Sequence, residues 1–548
     1  MKSKSGKSIW RESRNTALIL TLLWNGLGSV HALEITTDNP DIQMTWGNTV
    51  RYNIGERMQS RNDMIGNGLS FQEGDYAYNR GDVVTNRLDL LSEFDFAFQK
   101  RLGFRVSAAA WYDAAYHNDV KTNPAFAARN TYSSGNYSDY VKRYYQGPSG
   151  EFLDVYGFAN FKLGNMPGTV KVGRYAELWG EALALSTHSV SYAQAPSDLR
   201  KALATPGVDA KETALPIGQV STTLQVAPTL ALSAQYLSEW KPTRVPEGGT
   251  YLAAVDAFLY GSDRTFIAAP TGAIVPFALT NKGVLEPGNG GEWGVNARWS
   301  PEWLDGTMGF YYREFDERLP WLKLTVAPGG SYQAVYAKGA KLYGVTLSKQ
   351  LGGVSLGAEL LRRENTAMNS TITNGAAEGT RGDTWHALFN GVAVLGTTPI
   401  WSSASLTGEL AYSRWDKVRT QQALFNDCAA LNKDTNSGCS TKDNWQMLVR
   451  FAPTWTAVWP GWDIGTSAAL MYGIKGNSAV LNGGNEGAGN YSLGMTFTYN
   501  AQHDFTIAYN GYLAQIKAGP SPAAPIANGL TSQLQDRGWL SLTYKGSF

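Results

Sequence analysis

Trp539-Leu540-Ser541-Leu542-Thr543-Tyr544-Lys545-Gly546-Ser547-Phe548 closes the sequence with strict period-two alternation. Leu540, Leu542, Tyr544, Gly546 and Phe548 share one face, and Trp539, Ser541, Thr543, Lys545 and Ser547 share the other. A 180° advance per residue is the signature of a half-exposed β-strand. A soluble sheet alternates in the same way, but it rarely stops on the aromatic residue itself.

The same period recurs upstream. Leu88, Leu90, Phe94, Phe96 and Phe98 alternate with Arg87, Asp89, Glu93, Asp95 and Gln99. Tyr491, Leu493, Met495, Phe497 and Tyr499 alternate with Ser492, Gly494, Thr496 and Thr498. Continued along the chain, the pattern predicts about 18 strands, within a range of 16–18. Connectors provide an independent check. Long ones near 55–83, 117–150, 176–216, 241–290, 316–339, 364–383, 416–443, 475–488 and 516–532 alternate with short turns such as Lys100-Arg101-Leu102 and Asn500-Ala501-Gln502. Long loops at one end and short turns at the other predict an all-β, transmembrane antiparallel β-barrel, with long extracellular loops partly folded into the lumen. In that setting Tyr544 and Phe548 resemble the C-terminal signal read by the outer-membrane barrel assembly machinery.

Composition agrees with this reading. The chain of 548 residues holds 18 Trp, 28 Tyr and 59 Gly, while its mean hydropathy is only −0.27. Barrels in lipid combine these features, because aromatic girdles mark the interfaces and lipid-facing and lumen-facing residues average out. Lys2, Lys4, Lys7, Arg11 and Arg14 precede an apolar run, Ala17–Trp24, and then Val30-His31-Ala32. That order predicts a signal peptide over 1–32 and one barrel domain over 33–548, exported to the outer membrane of a Gram-negative cell. Of the 47 basic and 46 acidic residues, five and one lie in 1–32, leaving 42 and 45, a net of −3. So balanced a chain gives no case for nucleic-acid binding. Cys428 and Cys439 sit in a polar segment without histidine, a spacing that predicts one disulfide in a surface loop and no metal site.

On the strand registers many charges face the lumen, among them Arg51, Arg87, Asp89, Glu93, Arg105, Asp113, Glu359, Arg363 and Glu409. In lipid each would cost kilocalories, whereas a wet lumen tolerates them. They either pair across strands and fill the interior, or line a solute path. The connector 241–290 is too apolar for an exposed loop, with Tyr251, Phe258, Tyr260, Phe266 and Phe277; it is expected to plug the barrel or to form an apolar capture site. Ser197–Leu203 reads as a short helix capped by Ser197. After signal removal His117, His188, His386 and His503 remain. No nucleophile is brought to a base by any motif, so neither catalysis nor a cofactor is expected.

The stretch Val172-Gly173-Arg174-Tyr175-Ala176-Glu177-Leu178-Trp179-Gly180-Glu181-Ala182 is distinctive. Together with Pro206–Glu212, Leu215–Gln219, Tyr236–Arg244 and Gly249-Thr250-Tyr251, it resembles the family recorded as domain of unknown function 1302. Many relatives carry Gln where Tyr175 stands. The resemblance implies a Pseudomonas-type outer-membrane protein associated with hydrophobic compounds and with inner-membrane transporters of the resistance-nodulation-division type. Within the motif, Arg174, Glu177 and Glu181 could form a salt-bridged clamp, or Arg174, Trp179 and Glu181 could stand at a constriction. The expected function is a channel for a small hydrophobic or amphipathic solute. The alternatives are an outer-membrane component of a trans-envelope system, working with a periplasmic protein and an inner-membrane transporter, and a structural or adhesive barrel.

Overall fold

The computed structural model describes residues 33–371 and 373–548; the export signal read at 1–32 lies outside the described residues. Strands β1 (Ile42–Arg57), β2 (Val83–Phe98), β3 (Leu102–Asp113), β4 (Ser149–Leu163), β5 (Met166–Tyr175) and β6 (Ile217–Ala227) come first. They are followed by β7 (Leu230–Leu237), β8 (Glu292–Trp299), β9 (Gly306–Phe315), β10 (Ala340–Leu351), β11 (Val354–Ala367) and β12 (Arg381–Leu395). The last six are β13 (Ser403–Thr420), β14 (Asp443–Trp459), β15 (Trp462–Lys475), β16 (Gly489–Tyr499), β17 (His503–Leu513) and β18 (Trp539–Ser547). Each pairs antiparallel with the next, and β18 returns to β1 in the register Thr49↔Ser547 to Arg57↔Trp539, which closes the barrel. Phe548 completes the seam: its N–H donates to the Asn48 carbonyl at 2.9 Å, and its own carbonyl accepts from Asn48 N–H at 2.7 Å. The expected 18 strands are all present.

The polarity of this barrel is inverted relative to a soluble fold. On β18, Ser541 and Thr543 are buried toward the interior while Leu542 is 51% exposed on the outer wall. Arg51, Arg313, Arg363 and Asp89 are buried inside, while Leu232, Val345, Leu360, Phe389 and Leu493 are exposed outside. Aromatic residues border this apolar band at both ends. Toward the long loops, Trp293, Tyr312 and Tyr343 lie in contact across β8–β10, and Tyr412 meets Trp445 at 4.8 Å. Toward the short turns, Trp299 meets Trp303, and Trp462 meets Tyr499. From Tyr472 to Trp462 along β15 the rise is roughly 33 Å, or about 25 Å of height at a tilt near 40°, which is the thickness of an outer-membrane apolar band. Among the described residues no helix is long and apolar enough to cross a membrane.

This belt makes a direct prediction. Leu542→Arg puts a charge on the outer face of the closing strand and should destabilise the folded barrel in lipid by about 2–4 kcal/mol. Ser541→Ala on the inner face should cost much less. Urea titration in lipid vesicles measures both, and equal effects would contradict the inverted polarity.

The long connectors are ordered around a second, five-stranded sheet built from residues 264–265, 279–285, 321–325, 331–335 and 373–374. It caps the long-loop end and buries Leu279, Leu324 and Tyr332. Cys428 and Cys439 are joined, with S–S 2.03 Å, in the connector between β13 and β14. The short helix in the 176–216 connector spans Leu199–Ala204, and its cap is Asp198 rather than Ser197. Asp198 accepts from the Lys201 N–H at 2.9 Å, and a carboxylate caps the positive helix end better than a hydroxyl.

Candidate functional site in the lumen

The connector 176–216 crosses the lumen. It leaves β5 and reaches the opposite wall, where two inward carboxylates take hold of its backbone. Glu359 on β11 accepts from the N–H groups of Glu181 (2.5 Å), Ala182 (3.1 Å) and Val190 (2.7 Å), and from Ser189 Oγ. Glu409 on β13 accepts from the N–H groups of Leu183, Ala184 and Leu185 at 2.6–2.8 Å. Asn390 on β12, between them, donates to the Glu181 carbonyl at 2.6 Å. Both carboxylates are buried, so these backbone donors are what stabilise their charge.

Farther along, the same connector returns to the β18–β1–β2 wall. Glu212 pairs with Arg51 at 2.5 Å, Asp209 with Lys545 at 2.8 Å, and Lys211 with Glu93. The helix Leu199–Ala204 is fixed by Asp198, which binds Arg200 at 2.5 Å and Arg244 at 3.3 Å; Arg244 also binds Glu151 at 2.7 Å. These cations hold the Asp198 carboxyl far below its ordinary range, against the opposing effect of burial. Two walls on opposite sides of the barrel are thereby bridged by one segment.

The second inward segment belongs to 241–290. Tyr251 is buried and donates from its hydroxyl to the Arg537 carbonyl at 3.0 Å. Arg537 in turn donates to the carbonyls of Tyr251 (2.8 Å), Ala253 (2.5 Å) and Phe71 (3.2 Å). Between the two inward segments and the β1–β3 side of the wall lies a cavity lined by Tyr116, Tyr144, Tyr145, Tyr251, Leu252 and Trp539, together with Arg87, Arg200, Lys201 and Asp113. The Arg200 guanidinium lies 4.4 Å from the Tyr144 ring centre, and Lys201 lies 5.7 Å from that of Trp111. These cations lie against aromatic faces, and the cavity they share has a volume of only about 40 Å³.

The residues singled out from sequence are distributed unequally around this site. Arg87 binds Asp89 at 2.9 Å, and Arg105 is held by Glu93, Asp95 and Asp154, so the inward charges Arg87, Asp89, Glu93 and Arg105 are ion-paired on the wall. Trp179 is inside, against Tyr311 at 6.1 Å. Glu181 is also inside, with burial raising its carboxyl and Arg298 opposing that rise. Arg174 is not at a constriction. Tyr175 faces inward and is buried, so alternation turns Arg174 to the outer face beside exposed Val172, where it pairs with Glu239 at 3.3 Å. Nor do Arg174, Glu177 and Glu181 form a clamp: Glu177 accepts from Trp179 Nε1 and Ser221 Oγ, and the wall carboxylates do the clamping. In 241–290, Phe266 packs with Leu69 and Phe126, and Phe277 packs under the cap sheet. Tyr260 stacks on Tyr140 at 4.8 Å, and Phe258 is half-buried. Of the five residues named in that segment, Tyr251 alone lines the cavity.

Residues 13–548 match the model of a protein family of unknown function, DUF1302. The chain belongs to that family. No curated protein matches it in sequence. Among solved structures this DUF1302 barrel is similar to OpdK of Pseudomonas aeruginosa with vanillate, at 11% identity over 92% of this chain and 98% of that one, TM-score 0.40. It is similar also to a BenF-like porin from Pseudomonas fluorescens Pf-5, at 11% identity over 93% and 98%, TM-score 0.41. OccAB2 of Acinetobacter baumannii matches at 10% identity over 92% and 98%, TM-score 0.41.

The cap of this DUF1302 barrel carries a titratable group without a cation to pair with in its hydrogen-bond shell. Glu247 is buried and accepts from the N–H groups of Tyr260 and Gly261. Burial raises its carboxyl to about 7, despite those bonds. A raised folded-state value stabilises the cap fully below the ordinary carboxylate range, and that contribution is lost as pH rises through about 7. Segment 247–261 should therefore open more readily at pH 8 than at pH 6, and Glu247→Gln should abolish the difference. Hydrogen exchange corrected for intrinsic rates measures it.

Proposed function

We propose that this protein is an outer-membrane channel for a small amphipathic or hydrophobic solute, with a lumen controlled by its two inward segments. The observation that carries the reading is the combination of an apolar belt on the outside with a charged interior that a clamped backbone segment crosses from wall to wall. A purely structural barrel has no need of carboxylates at Glu359 and Glu409 committed to holding a segment inside the lumen. The cavity of tyrosines, Trp539, Arg87, Arg200 and Lys201 has a volume of only about 40 Å³ with the inward segments in place, so a solute with an apolar body and a polar head would meet its aromatic and cationic lining once those segments move. In this reading the long-loop end is extracellular, the short turns face the periplasm, and the chain is exported through a cleaved signal. The seam made by Phe548 is where the assembly machinery would finish the barrel.

The test is uptake into liposomes containing the purified full chain. Amphipathic solutes such as aromatic or acyl carboxylates are expected to enter faster than neutral sugars of equal mass. Equal entry of both classes would remove the solute selectivity, and entry of neither, with the lumen segment released, would remove the channel.

A further inference from the structure

Four groups on four separate elements form a single hydrogen-bonded chain beside the clamp. Arg363 on β11 reaches His386 Nε2 on β12 through Nε at 3.1 Å and Nη2 at 2.6 Å. His386 and His188 meet Nδ1 to Nδ1 at 2.9 Å. His188, on the lumen segment, meets the Gly483 carbonyl through Nε2 at 3.0 Å. A guanidinium only donates and a carbonyl only accepts, so the two ends determine every proton between them. His386 accepts at Nε2 and donates from Nδ1; His188 accepts at Nδ1 and donates from Nε2 to Gly483. Both rings are neutral, and both are fully buried. A proton added to either ring sets N–H against N–H, or N–H against the guanidinium, and the chain cannot be kept.

We propose that this chain is a proton-operated latch on the lumen segment, holding residues 183–191 to the wall at neutral pH and releasing them on acidification. Among the described residues the carboxylates packed around the latch already hold other donors, and the side chains that can still accept, on β12 and β14, are neutral. Glu359 already takes three N–H groups and Ser189 Oγ, and Glu409 takes three N–H groups. Glu317, from the connector after β9, is occupied by Tyr192 Oη, Thr366 Oγ1 and the Ala367 N–H. Thr384 Oγ1 lies 2.9 Å from His386 Nε2, and Gln446 on β14 stands beside His188. The cations repel a proton: Arg363 lies over the Tyr192 ring at 3.9 Å, and Arg313 on β9 binds the Val190 and Tyr192 carbonyls. Burial, and then Arg363, lower His188 from 6.5 to about 4. A lowered histidine leaves the latch intact above 6.5, and it is lost progressively as pH falls toward about 4. The Glu247 cap responds in the opposite sense, so acid opening cannot arise from it.

The inference rests on the channel reading, and the experiment separates the two. The full chain in planar bilayers is recorded at neutral and acid pH, alongside the double variant His188→Gln/His386→Gln and the clamp variant Glu359→Ala/Glu409→Ala. Folding of each is checked by its heat-dependent gel shift. The ratio of open to closed lumen in the wild type is expected to rise about tenfold per pH unit below 6.5, and to stay flat with pH in the double histidine variant. A wild type flat with pH while the clamp variant conducts overturns the latch alone, as does a double histidine variant that keeps the acid response. A folded clamp variant that never conducts removes the channel reading and the latch with it.

Discussion

Replacing Glu359 and Glu409 together by alanine is expected to turn the barrel from a mostly closed to a mostly open state in planar bilayers at neutral pH. Each carboxylate holds three backbone N–H groups of the lumen segment. A hydrogen bond to a charged group contributes about 1.5–3 kcal/mol, and water entering the lumen recovers part of that. Taking only about 1 kcal/mol per lost bond gives roughly 3 kcal/mol for each glutamate. Two such losses, about 6 kcal/mol, suffice to move a two-state equilibrium from 1:99 to 99:1. The single variants should lie between, each shifting the ratio by about a hundredfold. Glutamine at the same positions retains one acceptor oxygen and should recover part of the closed state. Wild-type conductance in the double variant would show that the segment is not the barrier.

Arg537→Ala should have a comparable effect on the second inward segment. Its guanidinium is fully buried and donates to three carbonyls, two of them on the segment itself at Tyr251 and Ala253. Removing it leaves those carbonyls without their donor and takes away a cation that opposes the rise of the buried Asp256 carboxyl to about 7. Three charge-assisted bonds at about 1.5–3 kcal/mol each place the loss at roughly 4 kcal/mol or more. The expected result is protease sensitivity within 241–264 at the long-loop end, with the barrel intact and still heat-modifiable. A segment as protected as in the wild type would mean that the packing of Tyr251 and Leu252 on Trp539 and Tyr512 suffices.

The barrel was legible in the sequence because strand alternation and connector length are read directly along the chain. Every predicted strand corresponds to an observed one, since an apolar belt facing lipid and a polar lumen enforce period two with little tolerance for slips. The lumen was less legible. Arg174 sits in a distinctive motif that offers either a salt-bridged clamp or a constriction, although the parity of its strand, with Lys171 inward, turns it outward. The sequence shows Glu359 and Glu409 as inward charges that either pair across strands or line a solute path. Their registers oppose Thr346 and Leu388 for Glu359, and Asn390 and Leu448 for Glu409. A buried carboxylate with no cation opposite must find its donors elsewhere, and that was a readable sign of a segment folded inward. The meeting of His188 with His386, 198 positions apart, carries no local signal, because it depends on where a long connector comes to rest.

A channel of this kind requires lipid on the outside of the wall and water on the inside. Val449 and Arg450 are neighbours on β14, both exposed, with Val449 on the outer belt and Arg450 donating to Ser467 Oγ on the inner face at 3.0 Å. Single cysteines at these two positions, in native membranes, should report opposite environments to a small charged thiol reagent; the native cysteines are already joined and silent. Labelling at 450 with protection at 449 is the predicted result. Labelling at 449 with protection at 450, or equal labelling of both, would contradict a water-filled channel in a membrane.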